Sequence, residues 1–158
     1  NKKDILYFDI LDTWYTGEAF KILKDKIHTN FLLIYGDIIS NLNLENIYMQ
    51  HLKIKTVCTG FITSAKTPSI KGSVTVEGNK IIDFIEKTDV KENFIVSEPI
   101  FVMNPKIFDY PGKSLPYDIF PQLAKENNLD AHFSTSEIIH LHSEKDKDRF
   151  IRFLKKNK

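Results

Sequence analysis

A single cysteine in 158 residues rules out an intrachain disulfide and a thiolate metal cluster. It is Cys58, inside the apolar run Thr56-Val57-Cys58-Thr59-Gly60-Phe61-Ile62. Nothing nearby in sequence would lower its pKa, so it reads as a buried, inert thiol, compatible with a reducing cytosol. An excess of charge is lacking too. Lys and Arg number 22 against 21 for Asp and Glu, a net charge of +1, which argues for neither a nucleic-acid nor a membrane partner. No apolar stretch approaches the roughly 20 residues of a membrane-spanning helix, and no secretory leader is read, so a cytoplasmic location is expected. Glycines are six and scattered, so no glycine-rich loop is found. The chain opens on Asn1 rather than Met, and a trimmed or partial chain is expected.

What is present suits a globular domain. Hydrophobic residues make up 42% and charged residues 27%, an ordinary balance for a chain that can bury about two-thirds of its unfolded surface. With no internal repeat, low-complexity tract or linker, one domain over residues 1–158 is expected. Residues 5–10 read as a strand, and residues 18–27 as a helix with Ala19, Phe20, Ile22, Leu23 and Ile27 on one face. The run Phe31-Leu32-Leu33-Ile34-Tyr35 suits a strand covered on both faces. Asn43 caps a helix over 44–52, which leads into a strand over 55–64. This rhythm predicts an α/β fold with a mixed, mostly parallel sheet flanked by helices. Residues 72–77 and 81–86 form a hairpin about the turn Glu77-Gly78-Asn79-Lys80. A strand over 93–103 ends at Asn104-Pro105, a helix-opening cap and first position, and residues 114–128 hold a further helix. Residues 131–135 and 137–141 read as a final β pair. The C-terminal helix is basic from Arg149 onward, and its charges read as a solvated face.

Two places carry chemistry. A buried strand that stops at Gly36-Asp37 sets a carboxylate at the mouth of an α/β sheet, where ligands gather, with a glycine that lets the chain turn and leaves room beside it. The bland reading is that Asp37 caps the turn. At the other, Phe84-Ile85-Glu86-Lys87, an acid and a base adjoin at a strand end; Glu86 suits sugar hydroxyls and Lys87 a phosphate, though Glu-Lys is a common solvated dipeptide. His140 and His142, two apart, share a strand face, a spacing that suits zinc. No third ligand is in view, and packing or surface roles are the plainer reading.

Their order is more telling. Thr16-Gly17-Glu18-Ala19 opens a helix; Phe31 to Asp37, Gly72 before a hairpin, and Phe84-Ile85-Glu86-Lys87 follow. Then come Ile100-Phe101-Val102-Met103-Asn104-Pro105-Lys106-Ile107-Phe108 and Tyr117-Asp118-Ile119-Phe120-Pro121-Gln122-Leu123-Ala124. The series resembles the sugar-phosphate nucleotidyltransferases, the pyrophosphorylases that make nucleotide sugars, over nearly the whole chain. The resemblance implies a nucleotide-diphospho-sugar transferase-like fold and a reaction of a nucleoside triphosphate with a sugar 1-phosphate that releases pyrophosphate. It also implies a magnesium ion held by Asp37, with Asp37 and Lys87 catalytic and Gly17, Gly72, Glu86 and Lys87 binding substrate.

The chain departs from that pattern in several places. The N-terminal strand and glycine-rich loop that cradle the triphosphate have no counterpart, so an N-terminally truncated domain is expected. Tyr15 and Glu18 would crowd the base. Ser97-Glu98-Pro99 stands where the family has Asn-Ala-Gly at the sugar pocket, and His140 where it has a second magnesium aspartate, a poor exchange for a hard ion. These changes support an alternative, a catalytically inactive relative that serves as a sugar-phosphate-binding or regulatory subunit. The missing strand would leave an apolar sheet edge at residues 31–35. Its cover is expected from residues 5–10, from another copy of the chain or from a separate N-terminal piece.

Overall fold

The computed structural model describes Tyr7 and residues 15–64, 71–87 and 95–157. The strand expected over 5–10 therefore lies, apart from Tyr7, outside the described residues. Helix α1 (Thr16–Lys21) is shorter than its apolar pattern suggests, and looser turns carry the chain on to Ile27. Strand β1 (Phe31–Ile34) follows, then the short β2 (Ile38–Ser40) and helix α2 (Leu44–Lys53). The Asn43 side chain accepts from Asn46 N at 2.9 Å, satisfying one of the free amides that open α2. Strand β3 (Cys58–Ser64) precedes the hairpin of β4 (Ser73–Glu77) and β5 (Lys80–Ile85), whose turn uses a positive φ at Gly78. The long β6 (Ile95–Met103) stops where Asn104 caps the 3-10 turn Pro105–Asp109. A π-helical turn, Leu115–Ile119, runs into α3 (Phe120–Lys125), followed by β7 (Leu129–Phe133), β8 (Ile138–His140) and α4 (Glu144–Lys156).

Six strands form one sheet in the order β1-β6-β3-β7-β5-β4. The sheet is mixed, as expected. Strands β1, β3, β7 and β4 run one way, and β6 and β5 the other. Because β6 is interposed between β1 and β3, most neighbours are nonetheless antiparallel, and β3–β7 is the parallel ladder. The sheet curls until β4 touches β6 again at Ser73 and Val96.

Both faces of the sheet are covered. On one, Phe20, Phe84, Phe101, Phe108 and Phe120 join Leu115, Ile119 and Leu123 in the larger core, with Phe20 and Phe108 stacked at 4.6 Å. On the other, Ile47 of α2 packs with Phe61, Ile100 and Val102. Strand β1 alternates between the two, Phe31 and Leu33 toward the first and Leu32 toward the second. Among the described residues only β6 pairs with β1, so its other edge is open and Ile34 is 44% exposed.

One expectation is overturned. The stretches read as a final β pair do not pair with each other: β7 joins β3 and β5, whereas β8 pairs antiparallel with β2 in a separate two-stranded sheet. Alternation reports which residues are half-buried, not which strand lies alongside. The partner for β8 comes from the segment just past Asp37, and this brings His140 and His142 to the mouth of the sheet. Among the described residues, no helix is long and apolar enough to cross a membrane.

Candidate functional site

The ends of β1, β3 and β7, which run in the same direction, open into a cavity of about 1240 Å³. Asp37, Gly72, Glu86 and Lys87 all line it, with Glu98 and His140 on its wall and Asp146 and Arg149 contributed by α4. The crevice beyond the carboxyl ends of strands is where open α/β sheets take their ligands.

Asp37 follows β1 in a turn. Its backbone carbonyl accepts from Leu141 N at 2.8 Å and its carboxylate lies 3.2 Å from His142 Nε2, so the β2–β8 sheet holds it. Tyr35, two residues earlier, has its phenol pKa raised, by burial first and then by the negative charges of Glu86 and Asp37. Strand β5 stops at Ile85, so Glu86 and Lys87 lie in a turn rather than on opposite faces of a strand. Lys87 takes a φ of +52°, a left-handed conformation unfavourable for a residue with a Cβ. Burial raises the Glu86 carboxyl pKa against the opposing pull of Lys87.

Gly72 is required by close approach. A Cβ there would stand 2.9 Å from Glu86 Oε2 and 2.9 Å from Phe84 Cζ. Its carbonyl accepts from Ser97 N at 2.8 Å, tying the entry of β4 to β6 beside Glu98. Gly36 is different: a Cβ there would meet nothing within 4 Å, so neither strain nor packing calls for glycine at that position.

Gly17 does not join the others. It is absent from the lining of the cavity and is buried in α1, where its amide donates to Lys113 O at 2.7 Å. A Cβ would sit 2.7 Å from the backbone carbonyl of Lys113. Its glycine is explained by packing, a reason that lies 96 residues away along the chain and that no local motif reveals. Gly17→Ala is expected to destabilise the chain by about 1–3 kcal/mol, the usual range for overpacking, and thermal melts of the variant check it.

Glu98 was legible only as a departure from a pattern; its environment was not. It is buried to 3% exposure. Its Oε1 accepts from Lys71 Nζ and, at 2.9 Å, from Thr63 Oγ1, and its Oε2 lies 2.7 Å from His140 Nε2. Burial works to raise the Glu98 pKa, but the hydrogen bonds from His140, Lys71 and Thr63 and the charge of Lys71 outweigh it. The carboxyl is held below its ordinary range and is ionised. Proline at 99 shapes this wall: the β3–β6 register slips between Gly60 and Phe61, so Phe61 faces Glu98 while Gly60 faces Phe101. Lys71 was missed; the one available signal was a lysine directly before Gly72.

The two positions to which the resemblance gives a magnesium ion can now be compared. Asp37 offers one hard carboxylate. His140, at the second position, is a nitrogen donor already engaged with Glu98, and Lys71 Nζ lies 3.2 Å from the same nitrogen. Among the described residues no group of three His, Cys, Asp or Glu side chains is placed to hold a metal ion. A donor set of this kind does not fit a two-carboxylate magnesium clamp, nor does it form the zinc site that two histidines on one strand face would suggest.

Known proteins share both sequence and architecture with the chain. No family model matches it. A Bacillus subtilis protein named as a glucose-1-phosphate cytidylyltransferase is 36% identical over 101 residues, 62% of this chain and 38% of that protein. The bifunctional protein GlmU of Methanococcus aeolicus is 30% identical over 138 residues, 82% of this chain and 33% of that protein. Among solved structures, one named as a glucose-1-phosphate thymidylyltransferase from Bacillus anthracis superposes with a TM-score of 0.73 at 15% identity, over 84% of this chain and 58% of the other. An apo UDP-glucose pyrophosphorylase gives 0.72 at 16% identity, over 94% and 63%.

The architecture is thus that of the nucleotide-diphospho-sugar transferases. With the sequence relatives, it puts the chain in the family of sugar-phosphate nucleotidyltransferases. The chain spans little more than a third of the curated relatives it matches.

Proposed function

We propose that the chain supplies the sugar-phosphate side of a nucleotidyltransferase site. In that reaction a phosphate oxygen of a sugar 1-phosphate attacks the α-phosphorus of a nucleoside triphosphate, a new P–O bond forms, and pyrophosphate departs. Such chemistry depends mainly on positioning and on neutralising charge. One observation carries the reading: Asp37 and the Glu86-Lys87 corner, 49 residues apart in sequence, line one cavity. Lys87 would meet the phosphate as a point charge, Glu86 would accept from sugar hydroxyls, and Gly72 would let the ligand lie against the backbone. Asp37, held beside His142, would help to orient the ligand from another part of the lining.

Calorimetry with glucose 1-phosphate, the sugar phosphate in the name of the B. subtilis relative, tests binding, and pyrophosphate release from the natural gene product tests transfer. Binding in the micromolar to millimolar range that Lys87→Ala weakens about ten- to a hundredfold is the expected result. A chain that takes no sugar phosphate would end the proposal. The open edge of β1 is proposed to be paired in solution by a second copy or a further segment. Tyr35 N donates to Pro99 O, so the antiparallel alternation turns the amides of both Leu32 and Ile34 away from β6. Slow exchange at these two is the expected sign, and fast exchange there would show a bare edge. Residence in the cytoplasm belongs to the same proposal and follows from these substrates.

A further inference from the structure

The mismatch between the expected magnesium clamp and the residues present has a direct structural reading. Glu98 and His140 each depart from the family pattern, and they touch each other at 2.7 Å. Both also contact Lys71. Three side chains from the entry of β4, from β6 and from β8 therefore meet at one point of the cavity wall.

The hydrogen bonds set their roles. An ionised Glu98 accepts only, so His140 must present Nε2–H to it. That nitrogen then has no lone pair for Lys71, which gives one proton to Glu98 and keeps two for the cavity. The lysine is restrained as well as charged, since Gly72 next to it is tied to Ser97 and Thr63 completes the Glu98 shell. A divalent ion bound at His140 Nε2 would sit about 2 Å from it. The ammonium lies only 3.2 Å from the same atom, so ion and ammonium would compete for one location.

We propose that the Lys71 ammonium is the resident cation of this cavity and, beside Lys87, a second contact for the ligand's phosphate. Glu98 holds it for that task and is itself fixed by Thr63 and His140, and the ligand binds without a divalent ion. The inference rests on the sugar-phosphate reading and adds to it a residue and an ion requirement.

The test is calorimetry on this chain with two probes, glucose 1-phosphate and inorganic phosphate, each in EDTA and in millimolar magnesium chloride. Expected is the same affinity, within about twofold, in both buffers. The double variant Lys71→Met with Glu98→Gln removes both charges together and so avoids stranding a buried carboxylate. It is expected to melt near the parent temperature and to lose about tenfold or more in affinity for both probes. Lys71→Arg, which keeps the charge and alters its geometry, is expected to lose less. Binding that appears only with magnesium would overturn this inference and leave the proposed function standing. Parent-like binding by a folded double variant would overturn the role of Lys71. Failure of both probes to bind in either buffer would overturn both readings.

Discussion

Lys87→Gly is expected to bind sugar 1-phosphate about ten- to a hundredfold more weakly than the parent chain, the usual worth of a charged contact to phosphate, while melting slightly higher. The two effects have separate causes. Binding falls because the ammonium at the cavity mouth is gone. Stability rises because residue 87 has a φ of +52°, where a Cβ costs about 1–2 kcal/mol and glycine nothing. Glycine's greater freedom in the unfolded chain returns roughly 0.5–1 kcal/mol of that gain. The net of about 0.5–1 kcal/mol corresponds to a rise of some 1–4 °C for a chain of this size. Lys87→Ala serves as the control: the same loss of binding with no rise in melting temperature. A lysine kept in an unfavourable conformation beside a cavity is what a binding role would explain, since stability alone would select glycine. Unchanged affinity in Lys87→Gly would remove Lys87 from the site, and a lower melting temperature would remove the strain argument.

Local signals proved legible where the physics is local. Asn43 and Asn104-Pro105 announce their caps because a side chain three or fewer residues away satisfies the free amides. The Gly78-Asn79 turn announces its hairpin because the positive φ is needed within the turn itself. The Glu86-Lys87 corner and Asp37 were readable as chemistry-bearing ends of elements. What failed to show was what depends on distant partners. The pairing of β8 with β2 rather than β7 joins segments about a hundred residues apart, and alternation carries no information about which strand lies alongside. Gly17 answers to the backbone at Lys113. The Lys71–Glu98–His140 contact joins positions 27 and 42 residues apart, and in sequence its members look like one unremarked lysine and two unrelated departures. Burial also resisted reading: Asp130 is fully buried because Lys80 and Asn79 of the hairpin turn reach across to it, a pairing that exists only once β5 lies beside β7.

The second large effect is expected at Gly72, and Gly36 is its natural comparison. In Gly72→Ala the new methyl stands 2.9 Å from both the Glu86 carboxylate and the Phe84 ring. Glu86 is the end of a flexible side chain and can swing away cheaply, but doing so withdraws it from the cavity. Phe84 cannot move so easily, because it is buried and packs on Phe120 at 5.2 Å. The variant should therefore lose about tenfold or more in sugar-phosphate affinity, and stability of about 1–3 kcal/mol through the ring. In Gly36→Ala the methyl meets nothing within 4 Å, so the melting temperature should stay within about 2 °C of the parent, as for substitutions that touch no packed group. Any loss of affinity there would then report a ligand filling the space beside Asp37, which stability cannot counterfeit. If Gly72→Ala binds normally while losing stability, the glycine serves only the Phe84–Phe120 packing, and the position of Glu86 matters less to the ligand than the geometry implies.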